Sequence, residues 1–162
     1  MYNLSIIKDL FGPAKDIRDI INDINKERIL ARGIKNRVLN EIEFNTELIL
    51  VHYLKKGADV EKIIEKLKIE NLSKAIDDGF DFKKIKRGKI DKNMIVGIGF
   101  FKDYVGYDCE AILKKIRFHI EQIKLLPELY DLKKTDKIDV KRRLENLGKR
   151  YILFTKFLKS KQ

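Results

Sequence analysis

The sequence is short of the residues that build disulfide-stabilised and turn-rich folds. It contains one cysteine, two prolines, nine glycines and no tryptophan among 162 residues. A single cysteine excludes an intramolecular disulfide and is typical of a reducing compartment, which favours a cytoplasmic protein. The few prolines and glycines leave little material for the turns of a β-sandwich.

Long apolar runs and a targeting segment are also absent. The longest apolar runs, LILVHYL at 48–54 and MIVGIGFF at 94–101, are too short to span a bilayer. The N-terminus has neither the basic start nor the apolar core of a signal peptide. With 44% apolar and 38% charged residues, the composition predicts one globular helical domain over 1–162 that has no membrane association.

Apolar residues recur at three- and four-residue steps along most of the chain, and this spacing predicts helices. We expect helices after Pro13, over about 34–56 and over about 108–126, and a long last helix that begins near Val140. The seam of that last helix is the most regular in the chain: Val140, Leu144, Leu147, Tyr151, Phe154 and Leu158.

These patterns predict an all-α fold. We expect a helical bundle of about four long helices, with short helices and one long irregular connection over 79–102. The connection separates two possible sub-lobes of the single domain, residues 1–78 and residues 103–162.

Several residues stand where helix ends are expected. Asp59 and Asp108 are expected to cap helix N-termini, because their carboxylates accept bonds from the first free N–H groups. Gly57 is expected to end the long helix before Asp59 in a left-handed conformation. Ser73 is expected to cap a brief turn that ends near Gly79.

Positive charge is concentrated in two segments. The chain carries +11 overall, whereas residues 83–102 carry +6 and residues 137–162 carry +7. Such a localised positive field attracts polyanions. The candidate polyanion-binding residues are Lys83, Lys84, Lys86, Arg87, Lys89, Arg142, Lys149 and Lys156. The last three are spaced at i, i+7 and i+14 opposite the seam, where they either track a phosphate backbone or form an ordinary solvated face.

Aromatic residues cluster around the first basic segment. They are Phe80, Phe82, Phe100, Phe101, Tyr104 and Tyr107. Rings that stack on bases beside cations that contact phosphates are the ingredients of single-strand nucleic-acid binding. The alternative is that the rings anchor the long connection to the bundle while the lysines keep it solvated.

The last helix has apolar residues outside its seam. Ile152, Leu153 and Phe157 make its C-terminal half apolar nearly all round. This half is therefore either central in the bundle or covered by a partner. The residues predicted to face a protein partner, or a second copy of the chain, are Phe100, Phe101, Tyr104, Ile152, Leu153 and Phe157.

The sequence partly matches two binding motifs, a glycine-rich nucleotide-binding loop and a helix-turn-helix. Gly97 and Gly99 are followed by a third glycine only at Gly106, which fits neither the dinucleotide fingerprint nor a P-loop. We interpret these glycines as breaks between helices. Residues 59–78 resemble a helix-turn-helix in their apolar spacing, although the acidic end of the second helix would repel a phosphate-lined groove.

The sequence shows no catalytic or metal-binding constellation. His52, His119 and Cys109 lack metal-ligand spacing. No arginine precedes either histidine at the four- to six-residue distance of helical-bundle ribonucleases. Cys109 follows an expected helix start, where thiol pKa values are often lowered, but no base accompanies it. We expect no metal, no cofactor and no small-molecule substrate.

These observations favour a small, non-enzymatic helical subunit or adaptor of a prokaryotic or viral nucleoprotein assembly. Its basic segments would bind nucleic acid, either RNA or DNA, or an acidic protein surface. Two other hypotheses stay open. One is a helical-bundle nuclease or toxin-like effector that uses His52 or His119 as an acid–base residue. The other is a helix-turn-helix DNA-binding regulator that uses residues 59–78.

Overall fold

The computed structural model describes residues 33–135 and 138–161, with the exception of the side chains of residues 99 and 100. Within these ranges the regular elements are helices and no strand occurs, which confirms the all-α class. The predicted helix after Pro13 lies outside the described residues.

The elements are α1 (Ile34–Glu47), a π-helix (Leu48–Lys55), α2 (Val60–Lys66), α3 (Glu70–Asp77), 3₁₀ helices at Phe82–Lys84 and Gly99–Tyr104, α4 (Cys109–Lys124), α5 (Leu126–Leu129) and α6 (Val140–Lys159). A bundle of about four long helices stays a prediction.

The predicted helix over 34–56 forms, but its C-terminal part is a π-helix. It ends at Gly57, which has the expected left-handed conformation with a φ of 69°. The π-helix packs against α6 at Gly148, where an added Cβ would lie 3.1 Å from Ile49 Cγ2 and 3.1 Å from Leu50 Cδ2. The two helices approach this closely because Gly148 has no side chain.

Two of the three predicted N-caps are confirmed. The carboxylate of Asp59 accepts from the backbone N–H three residues further on, at 3.1 Å. Asp108 does the same at 2.9 Å. The expectation for Ser73 is wrong, because this residue lies inside α3 and not at its start.

The N-terminus of α3 is capped from a distant part of the chain. The buried carboxylate of Glu41, on α1, accepts from the N–H groups of Asn71 and Leu72, both at 2.9 Å. These N–H groups have no partner within their own helix, and a negative charge suits the positive end of the helix dipole. One turn along α1, the Asn45 amide exchanges hydrogen bonds with the backbone of Lys68, at 2.6 and 2.9 Å. α1 therefore fixes where the chain between α2 and α3 lies.

The last helix, α6, lies at the centre of the described fold. It packs against α1, the π-helix and α4. Its second half is buried on every side, at Tyr151, Ile152, Leu153, Phe154, Thr155, Phe157 and Leu158. The burial of α6 by other parts of the same chain thus accounts for its apolar residues outside the seam.

α4 packs antiparallel to α6. The thiol of Cys109, at the start of α4, lies at the backbone of Lys86. Lys86 Nζ donates to the carbonyl oxygen of Leu158, near the end of α6, at 3.1 Å. Further along α4, His119 lies near Arg143 in the first turn of α6. The start of one helix is thus beside the end of the other.

Replacing Glu41 with alanine should destabilise the fold. The variant leaves two N–H groups of α3 without an acceptor, so we expect the free energy of unfolding to fall by about 2–4 kcal/mol. Chemical denaturation followed by circular dichroism measures this change. Glu47→Ala, at the exposed end of the same helix, is the matched control and should change the value by less than about 0.5 kcal/mol. Equal effects of the two substitutions would contradict the capping role.

Candidate functional site

The basic segment, residues 83–92, presents its cations to solvent because apolar residues on either side of them are buried. The buried anchors are Phe82, Ile85, Ile90 and Met94. The exposed cations between them are Lys83, Lys84, Arg87, Lys89 and Lys92. Because apolar and basic residues alternate along this segment, the apolar side chains lie in the core and the cations lie on the surface.

Backbone hydrogen bonds hold the basic segment against the start of α4. The N–H of Ile90 donates to the carbonyl oxygen of Tyr107 at 2.8 Å. The carbonyl oxygen of Ile90 accepts from the N–H of Gly106, also at 2.8 Å. Because both polar groups of this buried residue are paired, the segment has a defined path.

Lys86 is the one predicted binding residue of this segment that points inward. Its ammonium group donates to the carbonyl oxygen of Leu158 at 3.1 Å and to that of Ser160. The last carbonyl groups of a helix have no intrahelical donor and lie at the negative end of its dipole. Lys86 therefore caps α6, and its predicted role in contacting a polyanion is corrected to a structural one.

The predicted row on α6 does not form a continuous face. Arg142 is exposed, but Lys149 is only 5% exposed and lies among core residues. Lys156 is partly buried and donates to the carbonyl oxygen of Val96 at 3.4 Å, and burial lowers the pKa of its ammonium group. Because neighbouring segments enclose the helix on this side, the three cations cannot follow one phosphate backbone together.

The aromatic residues of the connection anchor it to the fold. Phe82, Phe101 and Tyr104 are buried, and the rings of Phe101 and Tyr104 meet edge to face with centroids 5.1 Å apart. For these three rings the anchoring interpretation fits, because buried rings have no face open to a nucleic-acid base. The side chain of Phe100 lies outside the described residues.

Those predicted partner-facing residues whose side chains the structure describes also lie in the core. The buried members of this set are Phe101, Tyr104, Ile152, Leu153 and Phe157. Other parts of the same chain already cover the apolar surface for which a partner was expected. We therefore correct their assignment from an interface to the core, and no interface is placed on them.

A second group of cations surrounds His119 between α4 and α6. It consists of Lys115 on α4 and of Arg143 and Arg150 on α6. The guanidinium of Arg150 is positioned by Tyr104, to whose hydroxyl oxygen its Nε donates at 2.8 Å. Burial of the imidazole, and then the positive charges of these three residues, lower the pKa of His119 to about 4.

This arrangement does not resemble an acid–base site. A general base works best with a pKa near the working pH, whereas burial and the nearby cations lower the pKa of His119 to about 4. Burial raises the pKa of the Cys109 thiol to about 12, which argues against a reactive thiolate. Among the described residues, no group of histidine, cysteine and carboxylate side chains could hold a metal ion.

The cations around His119 were not among the sequence-based candidates. Arg143 and Arg150 stand seven residues apart and so lie on one face of α6, but the sequence does not show which neighbouring helix they face. A signal exists on α4, where Phe118 lies outside the stripe of Ile112, Ile116 and Ile120. An aromatic residue outside an apolar stripe is a surface candidate.

Comparisons of the chain with protein-family models, with curated proteins and with solved structures find no match. Among the described helices, none is both long and apolar enough to cross a membrane.

The low pKa of His119 predicts a pH-dependent stability. Its folded pKa of about 4 lies below the ordinary value of 6.5, so the unfolded chain takes up a proton first as the pH falls. The stability due to the neutral imidazole is therefore present above pH 6.5 and is lost as the pH falls towards 4. The charges involved are those of Lys115 on α4 and of Arg143 and Arg150 on α6.

The test compares the wild type with His119→Gln by chemical denaturation at several pH values. Between neutral pH and the folded pKa, the wild type should lose about 1–2 kcal/mol more than the variant, after discounting for the solvent-exposed part of the ring. Parallel curves for the two proteins would contradict the lowered pKa.

Proposed function

We propose that this chain is a non-enzymatic helical subunit or adaptor of a nucleoprotein assembly, and that its basic segment, residues 83–92, binds nucleic acid. The observation that carries the proposal is the exposed array of cations on a fixed backbone. Among the described residues, no carboxylate lies within ion-pair distance of Lys83, Lys84 or Arg87. Phosphate groups would supply the missing negative charge and release counterions as they bind.

The fixed backbone favours binding because little order has to be created. Buried anchors and the pairing of Ile90 hold the segment before any ligand arrives. A ligand then restricts only the exposed ends of the lysine and arginine side chains, which lowers the entropic cost of association.

The end of α6 adds charge to the same region. Lys86 joins the basic segment to the carbonyl groups at the end of this helix. The exposed residues Lys159 and Lys161 follow on the same stretch of chain. The two basic segments of the sequence thus meet at one end of α6, which increases the local positive potential.

The other hypotheses have less support. The second helix of a helix-turn-helix would be α3, but Glu70 and Asp77 on this helix and Asp78 directly after it are exposed and repel phosphate. Arg117 on α4 pairs with Asp77 at 2.9 Å, so a cation of the protein itself already occupies this face. For the nuclease hypothesis, the charges that shift the pKa of His119 are those of cations, and together with burial they lower it to about 4, far from the pKa of an efficient general base at neutral pH.

A salt titration with a charge-reversal variant tests the proposal. The triple variant Lys83→Glu, Lys84→Glu and Arg87→Glu should weaken binding of a labelled oligonucleotide by at least about tenfold. It should also reduce the slope of log K against log salt by about 2–3, roughly one unit for each lost phosphate contact. Fluorescence polarisation over a series of salt concentrations measures both quantities.

The matched control reverses three exposed lysines on α2 and α3, namely Lys62, Lys66 and Lys74. It changes the net charge by the same amount, so general charge repulsion is equal in the two variants. We expect a loss of less than about threefold, because distant exposed charges are screened by salt. Equal losses for the two triple variants, or binding that does not weaken with salt, would overturn the proposal.

A further inference from the structure

Phe118 is an aromatic side chain that the core leaves on the surface. Its side chain is 50% exposed, although large aromatic residues are usually well buried. Its ring lies 5.3 Å from the imidazole of His119, nearly perpendicular to it, at 74°. His119 is partly buried, so it supports the exposed ring from the protein side.

Three cations act electrostatically on His119, the residue whose ring contacts Phe118. Lys115 precedes Phe118 by three residues, so the two side chains share a face of α4. Arg143 and Arg150 approach His119 from α6. They stand seven residues apart, which places their Cα atoms about 10 Å from one another along the helix.

These cations lack negative partners in the fold. Among the described residues, no carboxylate lies within ion-pair distance of Lys115, Arg143 or Arg150. Arg150 is held instead by the hydroxyl of Tyr104 and lies over the ring of Phe101, 5.1 Å from its centroid. The guanidinium is thus oriented while its charge stays uncompensated.

We infer that the surface between α4 and α6, formed by Lys115, Phe118, Arg143 and Arg150, binds single-stranded nucleic acid. A base stacks on the ring of Phe118, and the phosphate groups on either side of it contact the cations. This inference rests on the proposed nucleic-acid function and specifies the form of the ligand, at a site separate from the basic segment.

The combination of ring and cations distinguishes a single strand from a duplex. Stacking on an aromatic side chain requires a base whose face is free, which a single strand provides and an intact duplex does not. Cations alone would bind either form through phosphate contacts. The exposed ring is therefore the element that gives single strands an advantage.

The test measures binding of Phe118→Ala to a labelled 20-nucleotide single strand and to the corresponding duplex, by fluorescence polarisation. We expect single-strand binding to weaken by roughly 5- to 50-fold, because a stacking contact is lost. Duplex binding should change by less than about twofold, since phosphate contacts persist. Phe118→Trp should keep single-strand affinity within about twofold of the wild type, because it retains a stacking ring.

Leu125→Ala is the matched control. Leu125 is the C-cap residue of α4, follows Phe118 by seven residues and is 42% exposed, so its truncation removes apolar surface from the same face without removing a ring. Its single-strand binding should equal that of the wild type. A loss as large as that of Phe118→Ala would indicate a general apolar contact and would overturn the inference.

The remaining outcomes separate this inference from the proposed function. If the wild type binds no oligonucleotide at low salt, both fail. If single strand and duplex bind equally and Phe118→Ala changes neither, the surface between α4 and α6 is not the site, while the basic segment stands. If Phe118→Ala weakens binding of polyglutamate but not of the single strand, the surface belongs to an acidic protein and the inference is overturned.

Discussion

The enclosure of the last helix, α6, determines where the basic side chains of this protein point. Its residues 147–158 are mostly buried, yet this stretch contains the buried Lys149 and the partly exposed Arg150 and Lys156. Charged groups in such a place need partners, because the loss of hydration is otherwise uncompensated. Arg150 donates a hydrogen bond to the hydroxyl oxygen of Tyr104, and Lys156 donates one to the carbonyl oxygen of Val96. The packing of the helix thus decides which of its cations stay available to a ligand.

The same enclosure gives the long connection a fixed course. The partners of these α6 cations are Val96, in the connection, and Tyr104, just after it, and the connection in turn supplies Lys86 to the end of the helix. These contacts are reciprocal, so each segment satisfies polar groups of the other. The cations of the basic segment are consequently borne by an ordered backbone, although this part of the chain has only short 3₁₀ helices. An ordered array of cations is a better phosphate site than a flexible one, because less entropy is lost on binding.

The sequence predicts those features that depend on near neighbours. Asp59 and Asp108 cap helices because the first turn of a helix brings the carboxylate close to the N–H group three residues further on, whatever the rest of the fold does. Gly57 ends a helix because of its own backbone freedom. The cap of α3 was missed since its acceptor, Glu41, is thirty residues away from Asn71 in the chain. Hydrogen bonds between such distant residues depend on how the helices pack, and local sequence patterns carry no information about that packing.

In the candidate site too, the sequence predicts the local features but not those that depend on how the helices pack. The basic segment was found from its charge, but the rings next to it were interpreted ambiguously, because adjacency in sequence does not tell whether Phe101 faces inward. Phe118 shows the converse: its sequence signal is modest, and it gains significance only because α6 brings Arg143 and Arg150 within electrostatic range of His119, whose ring contacts Phe118. A stacking site needs both an open ring and uncompensated positive charge within reach. Next to the basic segment the rings of Phe82, Phe101 and Tyr104 are buried, whereas the ring of Phe118 is exposed. Stacking on a base is therefore proposed for the surface between α4 and α6 and not for the basic segment.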